Sequence, residues 1–250
     1  MRSKKIWVQI EGRASYVDDK IFANYSQLIE NLFTHYLAPV YIKKLAKLLI
    51  DFKEEHDWHI FPTITGESIY TITTSFPFDE FFKSSPSDKQ ELLLRAVGDS
   101  LLKLYKHLGL NSDHVNSAYE EIIANEYRLT IPILKGGKFN NQRTIKASVV
   151  AEHFLEYAMI YLIFTDKLGN EVNTIPLFKT MAHQFMYKQL VAFGKWTAAD
   201  VFTVYNNTKE FLINVTPDGQ RSVQYRPYQR DIEDVREEIN FLSKEVFVDL

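Results

Sequence analysis

The densest set of side chains able to hold a metal or move a proton is His56-Asp57-Trp58-His59, with Glu54 and Glu55 just upstream. Two imidazoles and a carboxylate can bind zinc or iron once a further ligand arrives from elsewhere in the chain. His153 and His183 are available for this, but nothing in their spacing selects them. The metalloprotease string HExxH is absent. A helix ending near His56 would explain that residue without a metal, because a helix C-terminus favours partial positive charge. His107, between Lys106 and Gly109, is explained the same way. No metal and no other cofactor is therefore expected, and His56 and His59 are the first ligands to consider if one binds.

Gly98-Asp99-Ser100-Leu101 spells the GDSL string and resembles, over those four residues, a family of serine esterases. That chemistry needs the serine on an open strand-to-helix loop near the chain start. It also needs an Asp-x-x-His pair near the chain end to activate the hydroxyl. Ser100 instead falls in the middle of a helical pattern, and no histidine has an aspartate three residues before it. A glycine and a serine at a close helix contact is the simpler account. The adjacent acids Glu54-Glu55, Asp79-Glu80, Glu120-Glu121 and Glu237-Glu238 diverge by about 100° on a helix, so each pair reads as a solvated face.

Three features could serve binding instead. In Phe76-Pro77-Phe78-Asp79-Glu80-Phe81-Phe82 the residues Phe78, Asp79, Glu80 and Phe81 would anchor a partner if exposed. Folded inward, the same phenylalanines would plug the core, and that reading is preferred. Lys135, Lys138, Arg143 and Lys146 gather positive charge without an acid, which suits a phosphate or, more simply, a solvated linker. The C-terminal half holds Tyr157, Tyr161, Tyr187, Trp196, Tyr205 and Tyr225. Tyrosine and tryptophan are over-used at interfaces, which makes Tyr187, Trp196 and Tyr205 candidate contacts, although composition alone could supply them.

The chain as a whole narrows the options. Its 250 residues suit one large or two small domains, and 46% apolar with 24% charged residues is globular. Cysteine is absent, which removes disulfides, thiolate metal sites and a cysteine nucleophile. Twenty-nine basic and 32 acidic groups leave a net charge of −3, with no global footprint for nucleic acid. Residues 1–134 carry −3, residues 135–225 carry +3, and residues 226–250 carry −3. An acidic tail could pack on the basic middle. Glycine numbers only nine, and no P-loop, dinucleotide fingerprint or EF-hand string occurs. The apolar stretch from Ile6 to Ile10 after a basic start is too short for a signal peptide, and no run reaches the roughly 18 residues of a membrane span. A cytoplasmic protein is expected, with no membrane partner.

The elements follow from periodicity. Lys4–Ile10 reads as a strand. A helix from about Asn24 carries Leu28, Leu32 and Tyr36 and breaks at Pro39. Ile42, Leu45, Leu49 and Phe52 predict a second helix. Trp58–Phe76 predicts two strands joined at Gly66-Glu67. Ser85-Pro86-Ser87-Asp88 starts a long helix, which Gly109 ends, and a shorter helix follows Ser112. Arg128–Leu134 is a strand. Seven further runs predict strands: Thr144–Ala151, Tyr157–Thr165, Glu171–Phe178, Gln184–Phe193, Val201–Tyr205, Glu210–Val215 and Ser222–Tyr225. Ala147–Glu152 also fits a helix. The spacing of Ile232, Val235, Ile239, Leu242 and Val246 predicts a helix over Tyr228–Phe247, either docked on the body or forming a homodimer seam.

The expectation is an α+β chain. A mixed helix and strand domain spans 1–134, a linker 135–142, an antiparallel sandwich or barrel-like domain 143–225, and a C-terminal helix 226–250. No catalytic string survives its context, so enzymatic activity is not expected. The leading reading is a non-catalytic cytosolic protein that binds another protein, such as an inhibitor of immunity or antitoxin type. A hydrolase assembled from distant residues and a carbohydrate-binding or structural β module are the alternatives.

Overall fold

Val8 and Ile10 are buried while Trp7 and Glu11 are exposed, and this alternation makes Trp7–Gly12 the first strand, β1. The structure, a computed structural model, describes residues 7–12, 19–39, 47–62, 69–134, 136–182 and 184–246. Contacts divide the chain between Leu129 and Thr130 into two units. The first continues with α1 (Asp19–Tyr36), β2 (Lys47–Lys53), β3 (His59–Pro62), β4 (Ile69–Ser75), α2 (Phe78–Lys83), α3 (Pro86–His107) and α4 (Asp113–Ala124). Its sheet has the order β1-β2-β4-β3. β1, β2 and β4 run parallel, and β3 pairs antiparallel with β4.

Lys47–Lys53 is a strand and not the helix its spacing predicted. Leu48, Ile50 and Phe52 are fully buried at a period of two. A central strand of a parallel sheet buries a near-continuous apolar run, which a helical template also matches. Ile42 and Leu45 of the predicted helix, and the Gly66-Glu67 turn, lie outside the described residues. At the sheet edge, two backbone N–H groups of β1 find partners on α1. Val8 donates to Thr34 Oγ1 at 3.2 Å, and Ile10 donates to Glu30 Oε1 at 2.6 Å. Such cover removes donors that would otherwise template another strand. The start of α3 is as predicted: Pro86 holds its first position, and Ser85 Oγ accepts from the Asp88 N–H.

β5 (Leu129–Pro132) carries the boundary. The second unit then holds β6 (Lys138–Phe139), β7 (Ile145–His153), β8 (Ala158–Asp166), β9 (Glu171–Thr180), α5 (Gln184–Leu190), β10 (Phe193–Trp196), β11 (Phe202–Tyr205), β12 (Phe211–Val215), β13 (Arg221–Tyr225), α6 (Ile232–Leu242) and β14 (Ser243–Val246). One sheet has the order β14-β9-β8-β7-β5, with β6 also on β7, and the other is the meander β10-β11-β12-β13. Inward residues of both, such as Leu162, Phe164, Phe202 and Ile213, share one core with Val235, Ile239 and Leu242 of α6. The chain is therefore mixed α+β with antiparallel sheets and a C-terminal helix, and the barrel is not closed.

Three expectations change here. Gln184–Phe193 is not one strand: Tyr187, Leu190 and Val191 are buried at helical spacing in and just after α5, and β10 follows. The predicted linker 135–142 contains β6, whose Lys138 Nζ donates to the Gly194 carbonyl at 2.7 Å. Lys135 lies outside the described residues. The last helix stops at Leu242, where Ser243 Oγ donates to the Ile239 carbonyl at 2.7 Å and β14 begins against β9. Phe247 is outside the described residues. Of the stripe offered for a homodimer seam, Val235, Ile239 and Leu242 are buried in the chain's own core, and Ile232 is exposed. Ala147–Glu152 is strand throughout. Among the described residues no helix is long and apolar enough to cross a membrane.

Candidate functional site

The meander β10–β13 buries one face and turns the other outward. Strand registers align the outward side chains into cross-strand rows. Phe193, Tyr205, Leu212 and Gln224 form one, and Lys195, Thr203, Asn214 and Ser222 form the next. Arg226 stands two residues past Gln224 on the same face, and its backbone N–H extends the ladder to the Glu210 carbonyl at 2.8 Å. Tyr205, Leu212 and Gln224 of the first row, Lys195, Thr203 and Asn214 of the second, and Arg226, Thr197 and Lys209 line a groove of about 360 Å³. Among the described lining residues, three are cations and none is a carboxylate.

The groove is internally ordered. Thr197 and Thr203 share a hydroxyl hydrogen bond of 2.7 Å, and Thr203 Oγ1 donates to Asn214 Oδ1 at 2.7 Å. Arg226 Nη2 donates to Gln224 Oε1 at 2.5 Å, which orients the guanidinium. Lys195 Nζ lies 6.0 Å from the Tyr205 ring centroid, and Phe193 stacks on Tyr205 with centroids 5.6 Å apart. Lys209 occupies the β11–β12 turn at φ 60°, a left-handed conformation that costs any residue but glycine on the order of 1 kcal/mol. The turn is held by Asn206 Oδ1, which accepts from the Glu210 and Phe211 N–H groups at 3.0 and 3.2 Å.

Next to the groove, the chain leaving β13 is clamped. Glu210 is 3% exposed, and its carboxylate accepts from Arg230 Nε and Nη2 at 3.1 and 2.8 Å and from the Tyr228 N–H at 2.9 Å. Arg230 also reaches Glu238 of α6 at 2.6 Å. The Arg230 hydrogen bonds first, then the Tyr228 N–H, hold the Glu210 carboxyl down at about 2. Its charge is thus spent on Arg230.

The residues named from sequence are scattered. Phe78 and Phe81 are buried, packed with Phe22 and Phe76 at centroid distances of 4.9 to 5.6 Å. They form the core plug and cannot be the anchor surface. Asp79 and Glu80 face outward from α2, with Lys83 3.8 Å from Asp79. Tyr187 is buried, its hydroxyl 3.1 Å from His153 Nε2. Trp196 points inward against Phe164 and Phe202, and its Nε1 donates to the Lys138 carbonyl at 2.8 Å. Only Tyr205 of that set lines the groove.

His56 and His59 are exposed, with ring centroids 5.3 Å apart. His56 lies in the loop after β2 and His59 opens β3, so no helix terminus explains His56. Among the described residues no group of three or more histidines and carboxylates comes close enough to hold a metal ion. His183 lies outside those residues. Ser100 is buried in α3, donating to the Ala96 carbonyl at 2.8 Å, and a Cβ on Gly98 would sit 3.1 Å from the Tyr119 ring. That is the close helix contact, not an esterase nucleophile.

Sequence reasoning missed Lys195, Lys209, Leu212, Asn214, Gln224 and Arg226. The signal existed as alternation: Leu212 and Asn214 between buried Phe211, Ile213 and Val215. It was hidden because Gln184–Phe193 reads as a single strand, which leaves Lys195 outside any predicted element. Comparisons with protein-family models, curated proteins and solved structures find nothing that matches this chain.

Proposed function

We propose that this chain is a non-catalytic binding protein that grips a partner protein through the outward face of the β10–β13 sheet, as a cytoplasmic inhibitor of immunity or antitoxin type would. The observation that carries the reading is the groove itself: three cations and no carboxylate, in a chain whose net charge is −3. Uncompensated charge held in one concavity favours an acidic partner and speeds its approach. The left-handed Lys209 supports it, since backbone strain tends to persist at functional positions. Catalysis is not favoured, because among the described lining residues no histidine or carboxylate stands beside the groove's threonine hydroxyls to act as base. A cysteine-free chain fits a reducing compartment.

The test is affinity capture of the tagged full chain from its native cells with quantitative mass spectrometry. One protein near one-to-one is expected, and its loss from the Lys195→Glu/Arg226→Glu double variant. Recovery of no stoichiometric partner, or of one indifferent to that double variant, overturns the proposal.

A further inference from the structure

We infer that the groove reads an extended acidic segment of the partner that crosses the sheet diagonally, with carboxylates at its first and seventh positions and apolar side chains at its third and fifth. This rests on the protein-binding reading above and specifies its ligand. Successive outward rows on a sheet are two residues apart, about 6.6–6.8 Å along the strands. The middle row is apolar where Tyr205 and Leu212 meet. Lys195 stands in the row on one side, and Arg226 stands one pleat repeat beyond Gln224 on the other. Lys195 and Arg226 also stand at opposite edges of the sheet, three inter-strand spacings or about 14 Å apart, so the diagonal between them is about 20 Å. Six steps of an extended peptide cover that distance, so its residues i, i+2, i+4 and i+6 fall over Lys195, Tyr205, Leu212 and Arg226. Lys209 reaches the Arg226 end from its turn.

A carboxylate fits these cations better than a nucleic-acid backbone does. Single-stranded nucleic acid wants a continuous basic track with several stacking rings. Here the cations are interrupted by Leu212 and by the Thr203–Asn214 hydrogen bond. Gln224 fixes one edge of the Arg226 guanidinium, leaving its remaining donors for the paired contact that planar carboxylates accept.

The test uses defined probes on the full-length chain, read by amide chemical-shift changes. The blocked peptide Glu-Ser-Phe-Ser-Leu-Ser-Glu should shift residues of β10–β13. The analogues Gln-Ser-Phe-Ser-Leu-Ser-Gln and Glu-Ser-Ser-Ser-Ser-Ser-Glu should each bind about tenfold more weakly. Lys195→Gln and Arg226→Gln should weaken the first peptide by a similar factor, Lys195→Arg should largely restore it, and Lys53→Gln should not change it. Equal binding of the glutamine peptide, or no shift in β10–β13 up to about 5 mM peptide, overturns the inference. If captured partner still depends on Lys195 and Arg226, the protein-binding reading survives that failure. Tighter binding of octathymidylate than of the peptide overturns both.

Discussion

On the parallel-rich sheet of the first unit, Glu11, Asp51, Thr73 and His59 share one cross-strand row, and Lys53 holds Asp51 at 2.9 Å. On the meander of the second, Lys195, Lys209 and Arg226 face a groove that no described carboxylate lines. Both sheets have four strands and one buried face. The first sheet's outward charges include both signs within reach of each other, so water and neighbours satisfy them. The second sheet's charges have one sign and await a counter-charge. A carboxylate in each unit, Glu30 partly covered and Glu210 buried, draws the same distinction. Glu30 meets the Ile10 N–H and the Gln27 side-chain amide but, among the described residues, no ion pair, and burial pushes it up to about 7, against the smaller opposing pull of the Ile10 N–H and of Lys47. Glu210 meets Arg230 and is pulled down to about 2. Burial sets the cost of a charge, and the partner within reach decides its sign.

The largest test concerns the segment that competed with the groove as a binding surface. Phe81→Ala removes a fully buried ring that touches Phe22, Tyr25, Phe76 and Phe82. It should destabilise the first unit by about 3–5 kcal/mol in urea unfolding. Asp79→Ala and Glu80→Ala should each stay within about 0.5 kcal/mol and leave partner capture intact. A loss of capture in the acid variants, with stability unchanged, would return that segment to the binding surface.

The two carboxylates predict opposite pH slopes. Folded Glu30 keeps a proton that the unfolded chain releases near 4.5, so its contribution falls as pH rises from 4.5 to about 7 and is flat above. Folded Glu210 stays ionised where the unfolded chain takes up a proton, so its contribution is lost as pH drops from 4.5 towards 2. Glu30→Gln should therefore flatten the upper window, worth roughly 3 kcal/mol at about 1.4 kcal/mol per pKa unit. Unfolding midpoints at intervals between the two pH limits check it. A slope that survives the substitution would mean another group titrates there.

Lys209→Gly separates fold from function at one residue. Glycine relieves the left-handed turn, so stability should rise by about 0.5–1 kcal/mol, while binding of the acidic peptide should fall severalfold. If binding is unchanged, the lysine's strain serves nothing in the groove.

How legible this was follows from where local pattern and tertiary context agree. Ser85-Pro86 with Asp88 marks a helix start by chemistry contained within four residues, and the structure keeps it. Leu48-Leu49-Ile50-Asp51-Phe52 satisfies both periods, and only its place between β1 and β4 makes it a strand. The groove needed more still. Lys195 and Asn214 are far apart in sequence and join one row only through two strand registers. Tyr205 was visible as an aromatic; which way it faced depended on Phe202 and Val204 claiming the interior.

The smallest effect is the sharpest control on the comparison. Asp51 and Lys53 are an adjacent-face pair with side chains 22% and 34% exposed. Their contact lies in a largely solvated setting, so Asp51→Asn and Lys53→Gln should each cost no more than about 0.5 kcal/mol. Lys53→Gln removes the same unit of charge as Lys195→Gln, so any dependence of peptide binding on net charge alone must move both variants equally. If only Lys195→Gln weakens the peptide, binding follows the concavity in which three cations meet no acid. If both weaken it alike, the two faces are electrostatically equivalent, and the groove's charge is no more a site than that of the first sheet.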